Sequence, residues 1–340
     1  MENNNEMKIN KLPAKTWYWL RMNDTALNWN PDMAGCSVKI DGGKEADKQA
    51  SDFDGIETGA DVLFAQQAAG SVLVADETNK GQTVHVLING TRANGSSGYA
   101  YVQADAGSDM TVIETFGENA EGGSLAFRTR FNIEKDAHIR LVQIFMQDEN
   151  TTILNDVGSE CAENGQLDVL QIFIGKGNLY NGVRTELIGK RASTNMDIGY
   201  LGQKKQVIDI NLVVNHIGKK TNCNIQVDGT LKDAAEKIFR GSIDFKTGSS
   251  DSKGAETENV LLLGDDVVNK TIPLILCAEE NVEGSHGATI GELDEDTLFY
   301  FASRGIDMET AEDMMTKGKM EVLYRKIQDE NTEKLVEKQL

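Results

Sequence analysis

The sequence predicts an all-β body followed by a helical tail. Three observations carry this: a hydrophobic period of two through the middle, turn residues closing each run, and helical spacing near the C-terminus. From Ala60 to Ala278 apolar residues alternate with polar or smaller ones. Leu125, Phe127, Phe131 and Ile133 keep one parity, and Ile208, Ile210, Leu212 and Val214 do the same. Runs close on Asn89-Gly90, Asn94-Gly95, Asp105-Ala106-Gly107, Glu121-Gly122-Gly123, Asn164-Gly165 and Asp228-Gly229. There are about fifteen such runs, and none holds an amphipathic helix of three turns. Pattern alone leaves sandwich, barrel and β-solenoid open, because no strict repeat is visible.

Outside the body, Trp19 and Trp29 lie in a short N-terminal segment with Trp17, Pro13 and Pro31, which reads as a small cap. Residues 41–54 are polar and read as a loop. In the tail Asp294 is the expected N-cap of a first helix carrying Leu298, Phe301 and Ala302 and ending at Gly305. Asp307 caps a second, with Met308, Ala311, Met314 and Met315 at helical spacing, ending near Gly318. A third is expected from Met320, carrying Leu323, Tyr324 and Ile327, with fraying beyond Gln328. The implied organisation is a cap over residues 1–55, a β body over 56–290 and a helical domain over 291–340.

Composition narrows the function classes. The 340 residues carry 34 Lys and Arg against 54 Asp and Glu, a net charge of −20. That surface repels phosphate backbones and anionic membranes, so neither nucleic acid nor a membrane is an expected partner. No stretch reaches the ~20 apolar residues of a spanning helix. The start of the chain is polar and acidic, unlike a secretory signal, so a cytoplasmic location is expected. Cys36, Cys161, Cys223 and Cys277 are widely spaced, which argues against a disulfide framework or a zinc knuckle. His85, His138, His216 and His286 are equally scattered, so any metal site must gather distant segments or another subunit.

One short span is dense in fixed features: Ser285-His286-Gly287-Ala288-Thr289, Gly291, Leu293-Asp294, Leu298-Phe299-Tyr300 and Ser303-Arg304-Gly305-Ile306. It resembles the C-terminal core of the SufB/SufD family, the scaffolds of the SUF iron–sulfur cluster assembly machinery, in its SufD-like form. Leu12-Pro13 with Thr16-Trp17 resembles the segment preceding the body in short SufD-like members. The resemblance selects the solenoid: it implies a right-handed parallel β-helix, with the N-terminal segment and the helical tail as covers for its ends. It further implies a non-enzymatic scaffold that pairs with a SufB-like paralogue and docks the ATPase SufC through the helical region. Closure of two SufC subunits would strain the pair and open the cluster site.

The same resemblance makes His286 the candidate ligand of a transient iron–sulfur cluster shared with the partner subunit. The plainer reading is a turn histidine between Gly284 and Gly287. Where SufB carries its cluster-site cysteine this chain has Glu258, and where SufB has the glutamate after its histidine it has Gly287. Gly284 replaces a cysteine common in SufD members. The resemblance allows a flavin, but no Gly-rich dinucleotide fingerprint supports one.

The remaining candidates read more plainly. The unbroken apolar run Ile272–Cys277 implies a covered outer face, favouring a subunit interface, with Cys277 expected as a small buried hydrophobe. His216, in an Asn215-His216-Ile217-Gly218 motif that recurs in the family, is expected inside and hydrogen-bonded. His85 and His138 are expected at the solvated surface, and Leu298–Tyr300 packed onto the last rung. Three alternatives stay open: self-pairing, which would bring two His286 and two Glu258 together; a stand-alone metal site of His286 with Glu279, Glu280 or Glu283; and a carbohydrate-active β-helix enzyme.

Overall fold

The computed structural model describes residues 6–16, 18–29, 33–46, 59–64, 69–90, 95–117 and 123–340. Trp17, Pro31, Asn94, Glu121, Gly122 and positions 47–54 of the expected loop lie outside the described residues. The body consists of two nine-stranded sheets face to face. One holds β4 (Ser37–Asp41), β6 (Gln82–Asn89), β8 (Asp109–Phe116), β10 (His138–Phe145), β12 (Gln166–Phe173), β14 (Ser193–Gly202), β16 (Asn222–Lys232), β18 (Ser252–Leu263) and β20 (Val282–Gly291). The other holds β3 (Ala34–Gly35), β5 (Ala69–Ala75), β7 (Ser96–Ala104), β9 (Gly123–Ile133), β11 (Thr151–Cys161), β13 (Leu179–Leu187), β15 (Val207–His216), β17 (Glu236–Phe245) and β19 (Val268–Cys277). The chain alternates between them, so each rung takes one strand from each sheet, and strands of successive rungs pair in parallel. This is the parallel β-solenoid that the resemblance implies. The β4–β6 pair is antiparallel.

Rung length varies. Asp109 pairs with His138, 29 residues on; Ser159 pairs with Thr185, 26 residues on; Asp228 pairs with Asn259, 31 residues on. One corner nevertheless repeats its geometry. Gly107, Asp136, Asn164, Arg191, Lys220 and Asp251 all take positive φ. Each donates its backbone N–H to a carbonyl of the next rung, from Lys135, Glu163, Lys190, Lys219, Ser250 and Asn281 in turn. The inter-rung hydrogen bond offsets the left-handed conformation, so residues with a Cβ are tolerated there.

Between the sheets lies a continuous apolar interior. In-register pairing stacks like positions into columns, such as Phe116, Phe145, Phe173, Tyr200 and Gly229. Phe116 and Phe145 stack with centroids 4.4 Å apart, and Phe145 meets Phe173 edge-on at 5.0 Å. Gly229 ends this aromatic column because the Tyr200 ring fills its side-chain space, 2.0 Å from where a Cβ would stand. A polar ladder also crosses the interior. Thr129 and Gln143 donate to Glu114, and Gln143, Asn155, Gln171 and Asn181 bond one another. Burial pushes the Glu114 carboxyl up to about 7.

Among the described residues the additional layers lie on the flanks of the solenoid, where covers for its ends were expected. The hairpin of β1 (Glu6–Ile9) and β2 (Thr25–Asn28) lies on the outer face of the odd-numbered sheet, where Ile9, Trp29 and Met33 pack with Leu63, Ala126 and Leu154. Beneath it Arg240 and Asp209 form a fully buried ion pair. Arg240 Nε donates to the Met22 carbonyl at 2.7 Å, and Asn10 Nδ2 to Asp209 Oδ1 at 2.8 Å. The tail forms α1 (Glu295–Ser303), α2 (Met308–Tyr324) and α3 (Glu330–Gln339). Met320, Leu323, Tyr324, Ile327 and Val336 pack on Ile113, Val142, Ile144, Leu170 and Ile172 of the even-numbered sheet.

Asp294 and Asp307 cap as expected, accepting from the Thr297 and Thr310 amides. Helix α2, however, runs through Gly318, because burial of Met320 and Leu323 outweighs the ~1 kcal/mol cost of glycine. The segment expected to fray is α3, capped by Asp329.

The Tyr200–Gly229 contact gives a direct test. Gly229→Ala should destabilise the protein by about 1–3 kcal/mol in urea denaturation, and adding Tyr200→Leu should recover part of that loss. Wild-type stability for Gly229→Ala would contradict the packing described.

Candidate functional site at the open end of the solenoid

Among the described residues the last rung, β19 with β20, has a partner on one side only: β17 for β19 and β18 for β20. Its inward positions lack the further rung that covers those of the rungs in the middle of the body. Strand β19 is half-buried along most of its length and β20 largely exposed. Cys277, expected to be buried, is exposed because the column Cys161, Leu187, His216, Phe245 stops at it. Helix α1 does not cover this end, and Phe299, expected on the last rung, is 75% exposed. Tyr300, Met308 and Met314 are likewise exposed.

His286 sits mid-strand on β20, exposed, with Gly284 and Gly287 nearby. Gly284 faces Ile275 and Phe245, so alternation places His286 and Ala288 on the same inward-facing side. The strand register pairs His286 with Glu256, and Glu258 with Ala288. Below the rung Lys237, fully buried, donates to Glu258, whose second oxygen accepts from Thr271 Oγ1 at 2.8 Å. Burial lowers the Lys237 pKa, with the Glu258 charge opposing it. Glu256 is only 4% exposed. Burial, with the Glu258 charge adding to it, pushes its carboxyl up to about 7.

The arrangement revises two expectations. Glu258 is committed to a buried ion pair, so self-pairing would not present two free Glu258 carboxylates beside two His286. Nor does the structure gather His286 with Glu279, Glu280 and Glu283. Glu279 accepts from the Gly248 amide and Glu283 from Lys253 Nζ. Among the described residues no group of three or more His, Cys, Asp or Glu is placed to hold a metal. Glu256 and Lys237 were missed by sequence reasoning. The available signal was rung spacing: Lys253 and Glu283 are 30 residues apart and paired, and the same step from His286 reaches Glu256.

The other candidates fall elsewhere. His216 is interior as expected, with Nδ1 2.7 Å from Thr221 Oγ1, Nε2 3.3 Å from Cys223 Sγ, and its ring stacked on Phe245. Burial lowers its pKa to about 4, which keeps it neutral. Cys36, Cys161 and Cys223 are buried and their thiols pushed up to about 12. His85 faces outward, 3.7 Å from Asp329. His138 also faces outward but is not simply solvated, since Asp168 and Asp109 bond its two ring nitrogens at 2.8 and 3.2 Å. Those carboxylates raise its pKa, Asp168 most.

The fold defines a parallel β-solenoid protein with a helical C-terminal layer. The family is more particular. Residues 86–319 match the family described as SUF system FeS cluster assembly, SufBD core domain, and the chain belongs to it. The iron–sulfur cluster assembly protein SufD of Escherichia coli K12 is 25% identical over 233 residues, covering 68% of this chain and 55% of that protein. Its Bacillus subtilis counterpart is 26% identical over 168 residues, 49% of this chain and 38% of the relative. A SufBD family protein of Staphylococcus saprophyticus is 26% identical over 196 residues, 57% and 42% of the two chains. The matched region thus spans about half or less of each curated relative's length.

His138 yields a pH prediction. Its folded pKa is raised, so its contribution to stability is fully present below its unfolded value of about 6.5 and is lost as pH rises through the folded value. The stability advantage of wild type over His138→Asn should therefore be largest below about pH 6.5 and shrink as pH rises above it in denaturation curves. An advantage that grows with pH would contradict the ion-pair assignment.

Proposed function

We propose that the chain is a SufD-like, non-enzymatic scaffold subunit of a cytoplasmic iron–sulfur cluster assembly complex. It pairs with a SufB-like paralogue through its open last rung and presents the tail helices to a SufC-type ATPase. The observation that carries this reading is the uncovered C-terminal rung with His286 exposed on its edge strand. An unpaired strand edge with apolar inward positions is completed by another chain's strand. Family membership and the names of the relatives support the cluster-assembly context.

His286 is the group on this edge suited to a cluster. A neutral imidazole is a competent iron ligand, and its exposure leaves it reachable from a paired subunit. The donors completing the site come from that subunit, and the cluster is cargo rather than a resident cofactor. No helix among the described residues is long and apolar enough to cross a membrane.

Co-expression with SufB-like and SufC-like partners, followed by size exclusion and anaerobic iron–sulfide reconstitution, tests the reading. His286→Ala should leave the complex intact and abolish the visible cluster absorbance. An unchanged cluster would make His286 structural, and elution without partners would remove the scaffold assignment. Separately, Phe299→Ala with Tyr300→Ala should weaken ATPase capture by at least about tenfold without changing paralogue pairing. Unchanged capture would place the ATPase elsewhere.

A further inference from the structure

The buried cluster one rung beneath His286 is unbalanced. Two carboxylates, Glu256 and Glu258, face one ammonium, Lys237. Glu258 is satisfied by Lys237 and Thr271. The Glu256 carboxylate accepts no hydrogen bond among the described residues; the residue is 4% exposed, and its oxygens are not fully enclosed, so they keep some contact with solvent. A largely buried carboxylate with no hydrogen-bond donor from the protein is disfavoured in its charged form, and a bound cation offsets that cost.

The fold provides for this side chain. Gly241, across the interior, has no Cβ where the carboxylate lies: a Cβ there would stand 1.9 Å from Glu256 Oε2. Toward the open end Glu256 is covered by the last rung alone, whose inward residues around His286 are the small Gly284 and Ala288. Glu256 and His286 are register partners on the same face of adjacent strands, about 4.8 Å apart in backbone spacing.

We propose that Glu256 is a second iron ligand beside His286, so that this chain supplies a nitrogen–oxygen donor pair to ferrous iron at the open rung. The inference rests on reading His286 as a cluster ligand. Imidazole and carboxylate together are a donor set that suits ferrous iron and leaves coordination positions for groups from a paired subunit. Lys237 and Thr271 are positioning residues here: by holding Glu258, they leave Glu256 as the uncommitted carboxylate.

The test is anaerobic titration with ferrous iron, without sulfide, of the full chain in complex with the subunit it pairs with. Wild type is compared with Glu256→Gln, Glu256→Asp, His286→Ala and the exposed control Glu283→Gln. Glu256→Gln and His286→Ala should each weaken iron binding by about tenfold or more, with Glu283→Gln unchanged and complex size preserved. Wild-type binding by Glu256→Gln, with loss in His286→Ala, overturns the role of Glu256 and leaves that of His286 standing. Wild-type binding by His286→Ala overturns the pair, whatever Glu256→Gln does. If Glu256→Gln lowers folding stability, Glu256→Asp decides, because it keeps the charge and withdraws the oxygens by one methylene. Weakened binding in a stably folded Glu256→Asp supports the ligand role, and unchanged binding overturns it.

Discussion

In a parallel solenoid each rung completes the one before it. The backbone groups of β17 are satisfied by β15 and β19, and the Phe145 ring is covered by Phe116 on one side and Phe173 on the other. Nothing within a rung closes it, because its strand edges point along the axis and its inward side chains are covered above and below only by the neighbouring rungs. The requirement passes from rung to rung and reaches β19 and β20 unmet. The exposure of Cys277, the half-burial of the Ile272–Leu276 run and the accessibility of His286 all follow from that one constraint.

The flanking layers sharpen the contrast. On one side the buried Arg240–Asp209 pair ties the N-terminal hairpin to the sheet. On the other, Arg140 Nη1 donates to the Ile327 carbonyl at 2.7 Å, fastening the turn after α2 to β10. Each sheet is thereby covered over part of its outer face while the C-terminal rung is left open. An open rung carrying a histidine, beside a buried cluster with one carboxylate in surplus, suits a surface completed by another chain and by iron.

The sequence carried part of this plainly. Alternation in residues such as Ile208, Ile210, Leu212 and Val214 marks an inward face in any β architecture, and Asp294 and Asp307 are recognisable caps. The solenoid itself was not readable from pattern. Its corners need positive φ, but the inter-rung hydrogen bond lets Gly, Asp, Asn, Arg and Lys share that role, so no residue type repeats. Rung lengths from 26 to 32 residues further blur the period. The resemblance around His286 supplied what periodicity lacked. The placement of the tail was misjudged because helical spacing shows which face is apolar but not which surface receives it. Glu256 was invisible because its importance lies in register, and a sequence with 54 acidic residues offers no reason to single one out.

The central claim is that the last rung is completed by a second chain. Amide hydrogen exchange over Val268–Cys277 and Val282–Gly291, with and without the co-expressed paralogue, tests it most directly. The account predicts strong added protection in both strands, with exchange in β10 and β12 unchanged. Protection confined to the N-terminal hairpin or the outer faces, with the last rung exchanging as it does alone, would contradict it.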